Sequence, residues 1–254
     1  MTRLTFLGTG TSQGVPMIGC GCDVCTSSDS FDKRLRSSVF VEHQGLKLLV
    51  DAGPDFRYQM LRAGITSLDA ILLTHNHKDH TGGLDDIRAF NYLEKKATKI
   101  YCEQYVEDSL RMEYSYAFAE NKYPGAPEWE VNIIENKPFT INGIEIIPIR
   151  GKHFRLPVLG YRFGNIAYCT DMNHIPKEEF TKLEGLEHFI INCVRRGRHI
   201  SHFSLEGALE IAAQVGAEHT WLTHLSHQLP VHKLLSEELP EGVCPAYDGL
   251  VIEA

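Results

Sequence analysis

The chain contains 254 residues, 43% of them hydrophobic, which is enough for one large α/β domain with a substantial core. Its 33 acidic residues exceed its 25 basic ones, and the formal charge of −8 disfavours a nucleic-acid partner because such binders present clustered Lys and Arg. No segment approaches the roughly 18 consecutive apolar residues of a membrane span, and no secretory leader is recognisable. We therefore expect a cytoplasmic protein that makes no membrane contact and forms a single domain over residues 1–254.

The first predicted element is a short β-strand, Leu4–Leu7, which ends in a glycine-rich loop, Gly8–Gly14. A dinucleotide-binding fingerprint needs Gly-x-Gly-x-x-Gly at the start of a helix. This loop instead continues through Pro16 without helical periodicity. We reject a phosphate cradle and expect the loop to lie beside the functional edge of the fold.

Three cysteines, Cys20, Cys22 and Cys25, form a knuckle in a loop at about residues 14–36. The total of seven cysteines is odd, and their clustering indicates metal binding in a reducing compartment rather than a disulfide framework. Zinc in thiolate-rich sites takes four ligands, so a fourth must come from elsewhere. The spacing does not choose among the other cysteines and the histidines, and reduced thiols without metal are the alternative.

The next predicted elements are a hairpin and three helices. Ser38–Glu42 and Leu46–Val50 pair around Gly45, and Asp51 follows the second strand as a turn or capping residue. Hydrophobic periodicity with Pro and Gly punctuation predicts three helices flanking a strand at Lys99–Cys102, namely Pro54–Ala63, Leu84–Leu93 and Tyr105–Phe118.

Four potential metal ligands, His75, His77, Asp79 and His80, follow the apolar run Ala70–Leu73 within six residues. In an extended segment His75 and His77 point to the same side and can reach one ion. Asp79 and His80 come after the chain has begun to turn and face a second position, with Gly82 and Gly83 allowing a sharp bend. The pattern predicts two adjacent metals; a solvated polar turn is the alternative.

The second half of the chain is predicted to supply further strands, a basic cluster and two helices. The predicted strands are Val131–Ile134, Ile144–Ile149, Val158–Phe163, Ile166–Cys169 and Phe189–Cys193, with a turn at Gly164–Asn165. The basic cluster contains Arg195, Arg196 and Arg198, which either recognise a second phosphate or form a solvated surface run. Helices are predicted at about 204–215 and 231–239, and a last strand follows Gly249.

The sequence His-x-His-x-Asp-His after a hydrophobic strand resembles the signature of the metallo-β-lactamase superfamily. The resemblance spans nearly the whole chain and implies an αββα sandwich, an α/β (α+β) fold of four layers. It implies that His153 joins His75 and His77 on one metal, that His224 joins Asp79 and His80 on the other, and that Asp171 bridges both. It also implies that Asp51 orients a histidine ligand from behind the metal loop.

The knuckle narrows the resemblance to the PhnP-like phosphodiesterases. In that branch the Cys-x-Cys-x-x-Cys run is completed by a histidine three residues after the last catalytic ligand, which corresponds here to His227. The resemblance implies one structural Zn²⁺ at this site and a non-ligand catalytic histidine at His202, with His199 as a neighbouring competitor. Asp79 and His202 are the residues predicted as catalytic, Asp79 being also a ligand.

These expectations describe a metal-dependent hydrolase with two catalytic cations, Zn²⁺ or Mn²⁺, which lower the pKa of a bridging water. The expected substrate is a small phosphodiester, cyclic ribosyl or nucleotide-like, and the resemblance leaves a homodimer open. The alternatives are an RNase Z-like nuclease, a thioester or lactone hydrolase that would not need His202, and a non-catalytic metal-binding scaffold.

Overall fold

In the computed structural model, which describes residues 1–254, two seven-stranded mixed sheets pack against each other. The first sheet has the spatial order β14 (Val251–Glu253), β1 (Thr2–Gly8), β2 (Ser38–His43), β3 (Leu46–Val50), β4 (Ala70–Leu72), β5 (Thr98–Cys102), β6 (Trp129–Ile133). The second has the order β13 (Val243–Pro245), β12 (His219–Thr223), β11 (His188–Asn192), β10 (Ile166–Cys169), β9 (Leu156–Phe163), β8 (Ile144–His153), β7 (Phe139–Ile141).

Eight α-helices and three 3₁₀ segments connect the strands. The α-helices are α1 (Asp23–Thr26), α2 (Phe56–Ala63), α3 (Lys78–Thr81), α4 (Arg88–Glu94), α5 (Gln104–Glu113), α6 (Ser115–Phe118), α7 (Leu205–Val215) and α8 (His232–Glu238). The 3₁₀ segments are Ser30–Asp32, Leu84–Ile87 and Lys177–Leu183. None of the helices combines the length and apolar character required to cross a membrane.

Three apolar clusters define four layers. A central cluster of 21 buried residues joins the inner faces of both sheets, including Phe6 of β1 and Tyr161 of β9. Two further clusters of 18 residues each pack helices onto the outer faces, one around Phe56 of α2 and one around Leu205 of α7. Successive residues of one strand pack into different apolar clusters, because side chains point alternately to the two faces of a sheet. The predicted αββα sandwich is confirmed.

The parallel strands of each sheet place loops at one edge. In the first sheet β3, β4 and β5 run parallel, and in the second β10, β11 and β12 do. Such strands read as continuous apolar runs because both faces are covered, and all five residues of β11 are buried. The carboxyl ends of β3, β4, β10 and β12 therefore lead directly into Asp51, the loop of His75–His80, Asp171 and His224.

The predicted elements are found with shifted boundaries. The helix predicted at Tyr105–Phe118 divides at Tyr114, whose φ of −118° and ψ of 42° interrupt it, into α5 and α6. The one predicted at Leu84–Leu93 begins as a 3₁₀ turn before α4. The strands β7, β12 and β13 were not predicted. The two-residue turn at Gly164–Asn165 is confirmed by the antiparallel pairing of Ile166 with Phe163.

Candidate metal centre

The first group of predicted ligands comes from both halves of the chain. His75 and His77 follow β4, His153 ends β8, and their ligand atoms all lie within 4.8 Å of one another. His75 and His153 are buried, whereas His77 is exposed. The two sheets thus bring together residues separated by nearly eighty positions.

The second group contains Asp79, His80, Asp171 and His224, whose ligand atoms also lie within 4.8 Å of one another. Asp171 is the shared member: its Oδ2 lies 3.4 Å from His80 Nε2 and 4.0 Å from His75 Nε2. Its Oδ1 lies 3.1 Å from His224 Nδ1. The position of Asp171 between the two groups is the one expected of a bridging carboxylate.

Hydrogen bonds fix the ring of each buried histidine through its Nδ1 atom. His80 Nδ1 donates to Asp51 Oδ2 at 2.7 Å, and His153 Nδ1 donates to the Ser201 carbonyl oxygen at 2.8 Å. His75 Nδ1 lies 2.9 Å from Thr74 Oγ1, which itself donates to Asp51 and therefore accepts from the ring. This bonding leaves Nε2 of each ring available to a metal.

His224 is held in the same way by Ser37. The Ser37 hydroxyl donates to the Gly10 carbonyl oxygen and lies 3.0 Å from His224 Nδ1, so it accepts from that nitrogen. Gly10 also pairs with Leu225, which confirms that the glycine-rich loop borders this edge. Neither Ser37 nor the Ser201 carbonyl carries a sequence signal, because both meet their histidines only through the packing of the two sheets.

Asp51 and two of the candidate ligands adopt a left-handed backbone. Asp51, Asp171 and His224 have φ values of 64°, 56° and 55°. Such conformations cost free energy and cluster at functional sites, where neighbouring structure enforces them. Each residue is the first or second after a strand end, where the backbone must turn toward the shared edge.

Gly82 and Gly83 have a different role from the one predicted. Their φ values, −67° and −100°, are accessible to any residue. A Cβ at Gly83 would instead lie 2.1 Å from the Gly53 carbonyl oxygen, and one at Gly82 would lie 2.7 Å from the Lys78 carbonyl oxygen. These glycines allow close packing of the ligand loop against the loop after β3.

The electrostatic environment favours added positive charge. Burial lowers the pKa of His153 and of His224 to about 4, so both imidazoles are neutral, as metal ligands must be. Burial also acts to lower the pKa of His80, but Asp171, Asp79 and Asp51 outweigh it and raise that pKa well above its usual value. Without metal, a proton on His80 offsets part of the negative charge of these carboxylates.

The donor set fits a pair of divalent cations. The Nε2 atom of His75 is buried and has no hydrogen-bond partner, which is costly unless another ligand satisfies it. The Nε2 atom of His80 faces the carboxylates of Asp79 and Asp171, at 3.2 and 3.4 Å. Imidazole nitrogens and carboxylates are ligands that Zn²⁺ and Mn²⁺ accept. The structure brings all seven predicted ligands together, and their role as ligands stays a prediction.

His202 lies against this cluster. Its Nε2 is 3.3 Å from Asp171 Oδ2, and its ring centroid is 4.5 Å from that of His153 and 4.8 Å from that of His224. His199, its competitor, lies further out, with Nδ1 3.3 Å from His202 Nδ1. The geometry favours His202 as the histidine that meets a substrate at the metals.

An open cleft of about 1150 Å³ adjoins His202 and His199. Arg195 and Arg198 line it, whereas Arg196 forms an ion pair with Glu238 outside it. The three arginines predicted as one cluster therefore divide between the cleft and the surface.

The cysteine knuckle meets the loop after β12. His227 Nδ1 lies 3.3 Å from Cys20 Sγ and 3.4 Å from Cys22 Sγ, and the four ligand atoms including that of Cys25 lie within 4.8 Å of one another. A backbone hydrogen bond from Cys25 and the contact with His227 lower the pKa of Cys22 to about 6. This Cys₃His set fits tetrahedral Zn²⁺ and would join the knuckle to the segment carrying His224.

Comparison with known proteins identifies the family. A family model described as a beta-lactamase superfamily domain matches residues 47–225. The crystal structure of a new diphosphatase from the PhnP family superimposes with a TM-score of 0.93 at 38% identity, covering 99% of this chain and 96% of that one. Zn(2+)-bound PqqB from Methylobacterium extorquens has the same fold, with a TM-score of 0.80 at 18% identity over 99% of this chain and 100% of that one.

A curated relative, the octanoyltransferase of Porphyromonas gingivalis, is 44% identical over 98% of this chain. The chain spans only about half, 51%, of that relative's length. The family match, the PhnP-family neighbour and the Cys₃His cluster confirm the resemblance on which the sequence predictions rested. The chain belongs to the beta-lactamase superfamily and, within it, to the PhnP family.

Proposed function

We propose that this hydrolase cleaves small phosphodiesters with two divalent cations. The observation that carries the proposal is the position of Asp171, whose Oδ2 lies 4.0 Å from His75 Nε2 and 3.4 Å from His80 Nε2. His202 Nε2 lies 3.3 Å from the same oxygen on the side of the cleft. Two metal positions flanking one carboxylate are the arrangement used by phosphoesterases that clamp an attacking and a leaving oxygen.

The ligand roles follow from the two groups of side chains. His75, His77 and His153 would hold one cation, Asp79, His80 and His224 the other, and Asp171 both. When bound, two divalent cations polarise the phosphoryl oxygens and lower the pKa of water. Zn²⁺ and Mn²⁺ both suit these ligands, and the Zn(2+)-bound PqqB relative supports zinc. The Cys₃His set would hold a third, structural zinc.

We assign to His202 the role of protonating the leaving group. Its side chain is 13% exposed, and it lies between Asp171 and the cleft. A histidine there can protonate an alkoxide as the ester bond breaks, a step that an acidic leaving group does not need. This role separates phosphodiester cleavage from thioester hydrolysis at the same metals.

Two relatives bear on the reaction class. The diphosphatase in the PhnP family supports phosphoryl chemistry, and it is similar to this chain over nearly the full length of both. The octanoyltransferase name favours acyl chemistry as a second candidate, but it belongs to a protein about twice as long as this chain. A thioester hydrolase is therefore the alternative to be tested.

The test compares turnover of bis-p-nitrophenyl phosphate, p-nitrophenyl phosphate, octanoyl-coenzyme A and a precursor tRNA with Zn²⁺ or Mn²⁺ added. We expect the diester to be the preferred substrate. For a diester with an alkyl leaving group, His202→Ala should lower kcat about 100-fold or more while the metal content is unchanged. His219→Ala, at an exposed histidine that begins β12, is the matched control.

Preference for the thioester or for the precursor tRNA would contradict the proposed substrate class. Loss of a catalytic metal from His202→Ala would show that this residue is a ligand rather than a proton donor.

A further inference from the structure

Asp248 is a buried carboxylate that the proposed reaction does not use. It lies between β13 and β14, and its side chain is only 4% exposed. Its two oxygens accept four hydrogen bonds, from the backbone N–H and the hydroxyl of Thr9, from the backbone N–H of Leu35 and from Arg62 Nη1. A carboxylate that binds donors from several segments of the chain holds those segments in a fixed arrangement.

One route from Asp248 leads through Leu35 to the ring of His224. The Leu35 carbonyl oxygen accepts from the backbone N–H of Gly10 at 2.8 Å, and the Gly10 carbonyl oxygen accepts from the Ser37 hydroxyl at 2.9 Å. The same hydroxyl accepts from His224 Nδ1 at 3.0 Å. A shift of Leu35 would therefore move the group that orients the His224 ring.

A second route leads through Thr9 to the backbone beside His224. The Thr9 carbonyl oxygen accepts from the backbone N–H of Leu225 at 2.8 Å. The buried Thr9 hydroxyl accepts from Arg34 Nη1 at 2.8 Å, so its own proton is directed to Asp248. His224 has φ of 55°, a conformation that neighbouring structure must enforce, and the bond to Leu225 supplies part of that restraint.

The glycine-rich loop packs too closely against its neighbours to adjust on its own. A Cβ at Gly10 would lie 2.9 Å from the Arg34 carbonyl oxygen and 3.0 Å from the Leu35 carbonyl oxygen. Segments packed at this density transmit a displacement, because protein interiors are hardly compressible. A displacement at Asp248 would therefore reach His224 by both routes.

We propose that Asp248 is a positioning residue for the second cation of the proposed pair, the one that His224 would bind. It fixes Thr9 and Leu35, on which the orientation of the His224 ring and the backbone after it depend. This role rests on the proposed function, because it takes His224 as a metal ligand. Since all the partners of Asp248 are protein groups, the carboxylate acts through them and not on the metal itself.

The first measurement uses metal-free protein with isotope-labelled histidine and follows by nuclear magnetic resonance how fast the His224 Nδ1 proton exchanges with solvent. Ser37→Ala removes the acceptor of that proton and should speed exchange about tenfold, the effect of one lost hydrogen bond. Asp248→Asn should act similarly, because its amide nitrogen faces donors that it cannot accept from. Thr9→Val, which removes one donor to Asp248, should speed exchange by a smaller factor.

The second measurement is a titration with Zn²⁺ in competition with a chromogenic chelator. Asp248→Asn and Ser37→Ala should each lower the affinity for the second catalytic cation about tenfold and that for the first by less than about twofold. The double variant should lose clearly less than the product of the two factors, since both changes interrupt one connection. Glu179→Gln, at another buried carboxylate with three partners, should lower the free energy of unfolding and leave both affinities unchanged.

Unchanged exchange in Asp248→Asn would overturn the positioning role, and if that variant does not fold, unchanged exchange in Thr9→Val would overturn it. Fully multiplicative losses in the double variant, or an equal loss of affinity in Glu179→Gln, would also overturn it. Failure of the native chain to bind two cations besides the knuckle zinc would overturn the proposed function instead. In that case the exchange measurement on metal-free protein still decides whether Asp248 positions the His224 ring.

Discussion

Asp51 connects the ligand loop to the strand behind it. It is fully buried, accepts from His80 Nδ1 at 2.7 Å, and accepts from both the backbone N–H and the hydroxyl of Thr74 at 2.9 Å. From the sequence alone, Asp51 could be either a turn residue or a residue that supports the metal loop. The structure favours the supporting role, because these hydrogen bonds fix the orientations of His80 and, through Thr74, of His75.

Replacing Asp51 should therefore weaken metal binding without removing a ligand. We expect Asp51→Ala to lower the affinity for a catalytic cation about 10- to 100-fold, as loss of a group that orients a ligating histidine does. Competition with a chromogenic chelator measures this affinity. Asp69→Ala is the control, because Asp69 precedes β4 at the opposite end from the ligands and accepts from Lys47 N. Equal affinity in Asp51→Ala and the native chain would contradict the assigned role.

The grouping of the seven candidate ligands was predictable from single residues, partly from one short motif and partly from the family resemblance. His75, His77, Asp79 and His80 lie on one loop, and family resemblance supplied His153, Asp171 and His224. The roles of Ser37 and of the Ser201 carbonyl were not predictable. Their roles depend on hydrogen bonds across long sequence separations, which single residue types do not signal.

At the scale of elements, the knuckle fastens the loop containing α1 to the segment after β12. Cys22→Ser should remove one of three bound metals and lower the free energy of unfolding by more than about 2 kcal/mol, since metal binding to a folded site stabilises the fold. Metal analysis and thermal unfolding measure both effects. Cys244→Ser, at an exposed cysteine outside the knuckle, should change neither. Retention of three metals by Cys22→Ser would contradict the assignment.

The 3₁₀ segment Lys177–Leu183 contains a buried carboxylate, Glu179, that anchors it to β8. Glu179 accepts from the backbone N–H of Arg150 and from Asn136 Nδ2 at 2.7 Å, and from Lys182 Nζ at 2.8 Å. Burial alone would raise the pKa of Glu179, but these hydrogen bonds outweigh it and lower the pKa below its usual 4.5. Folding therefore stabilises the ionised form of Glu179.

A carboxyl whose pKa is lowered on folding stabilises the protein above its unfolded pKa and loses that contribution as pH falls through the folded one. At pH 7 Glu179→Ala should lower the free energy of unfolding by about 2 to 3 kcal/mol, partly because it leaves the partly buried N–H of Arg150 without an acceptor. The difference from the native chain should shrink as pH falls below about 4.5. Denaturant unfolding over this range tests the expectation, with exposed Glu178→Ala as control. A difference independent of pH would contradict it.

The elements were predictable where hydrophobic patterns were strong and less so at their ends. Buried strands such as β10 and β11 carry continuous apolar runs, whereas β7 and β13 have only three residues each, too few for a period to show. The break at Tyr114 has no sequence signal of its own. Its hydroxyl donates to the Thr81 carbonyl oxygen at 2.8 Å, a contact made only once α5 packs on the ligand loop.

For the whole molecule, family resemblance predicted the four-layer fold, which periodicity alone could not have specified. Alternating strands and helices are compatible with several α/β folds. The two-sheet arrangement matters for function because each sheet contributes part of the metal centre. The proposed function therefore depends on whether ligands from both sheets surround the same two cations.

Crystals grown without chelator and measured at the absorption edges of zinc and manganese test this dependence most directly. We predict two anomalous peaks about 3.5 to 4 Å apart on either side of Asp171, and a third peak bound by Cys20, Cys22, Cys25 and His227. A single peak in the catalytic cluster, or two peaks that Asp171 does not join, would contradict the proposed metal pair.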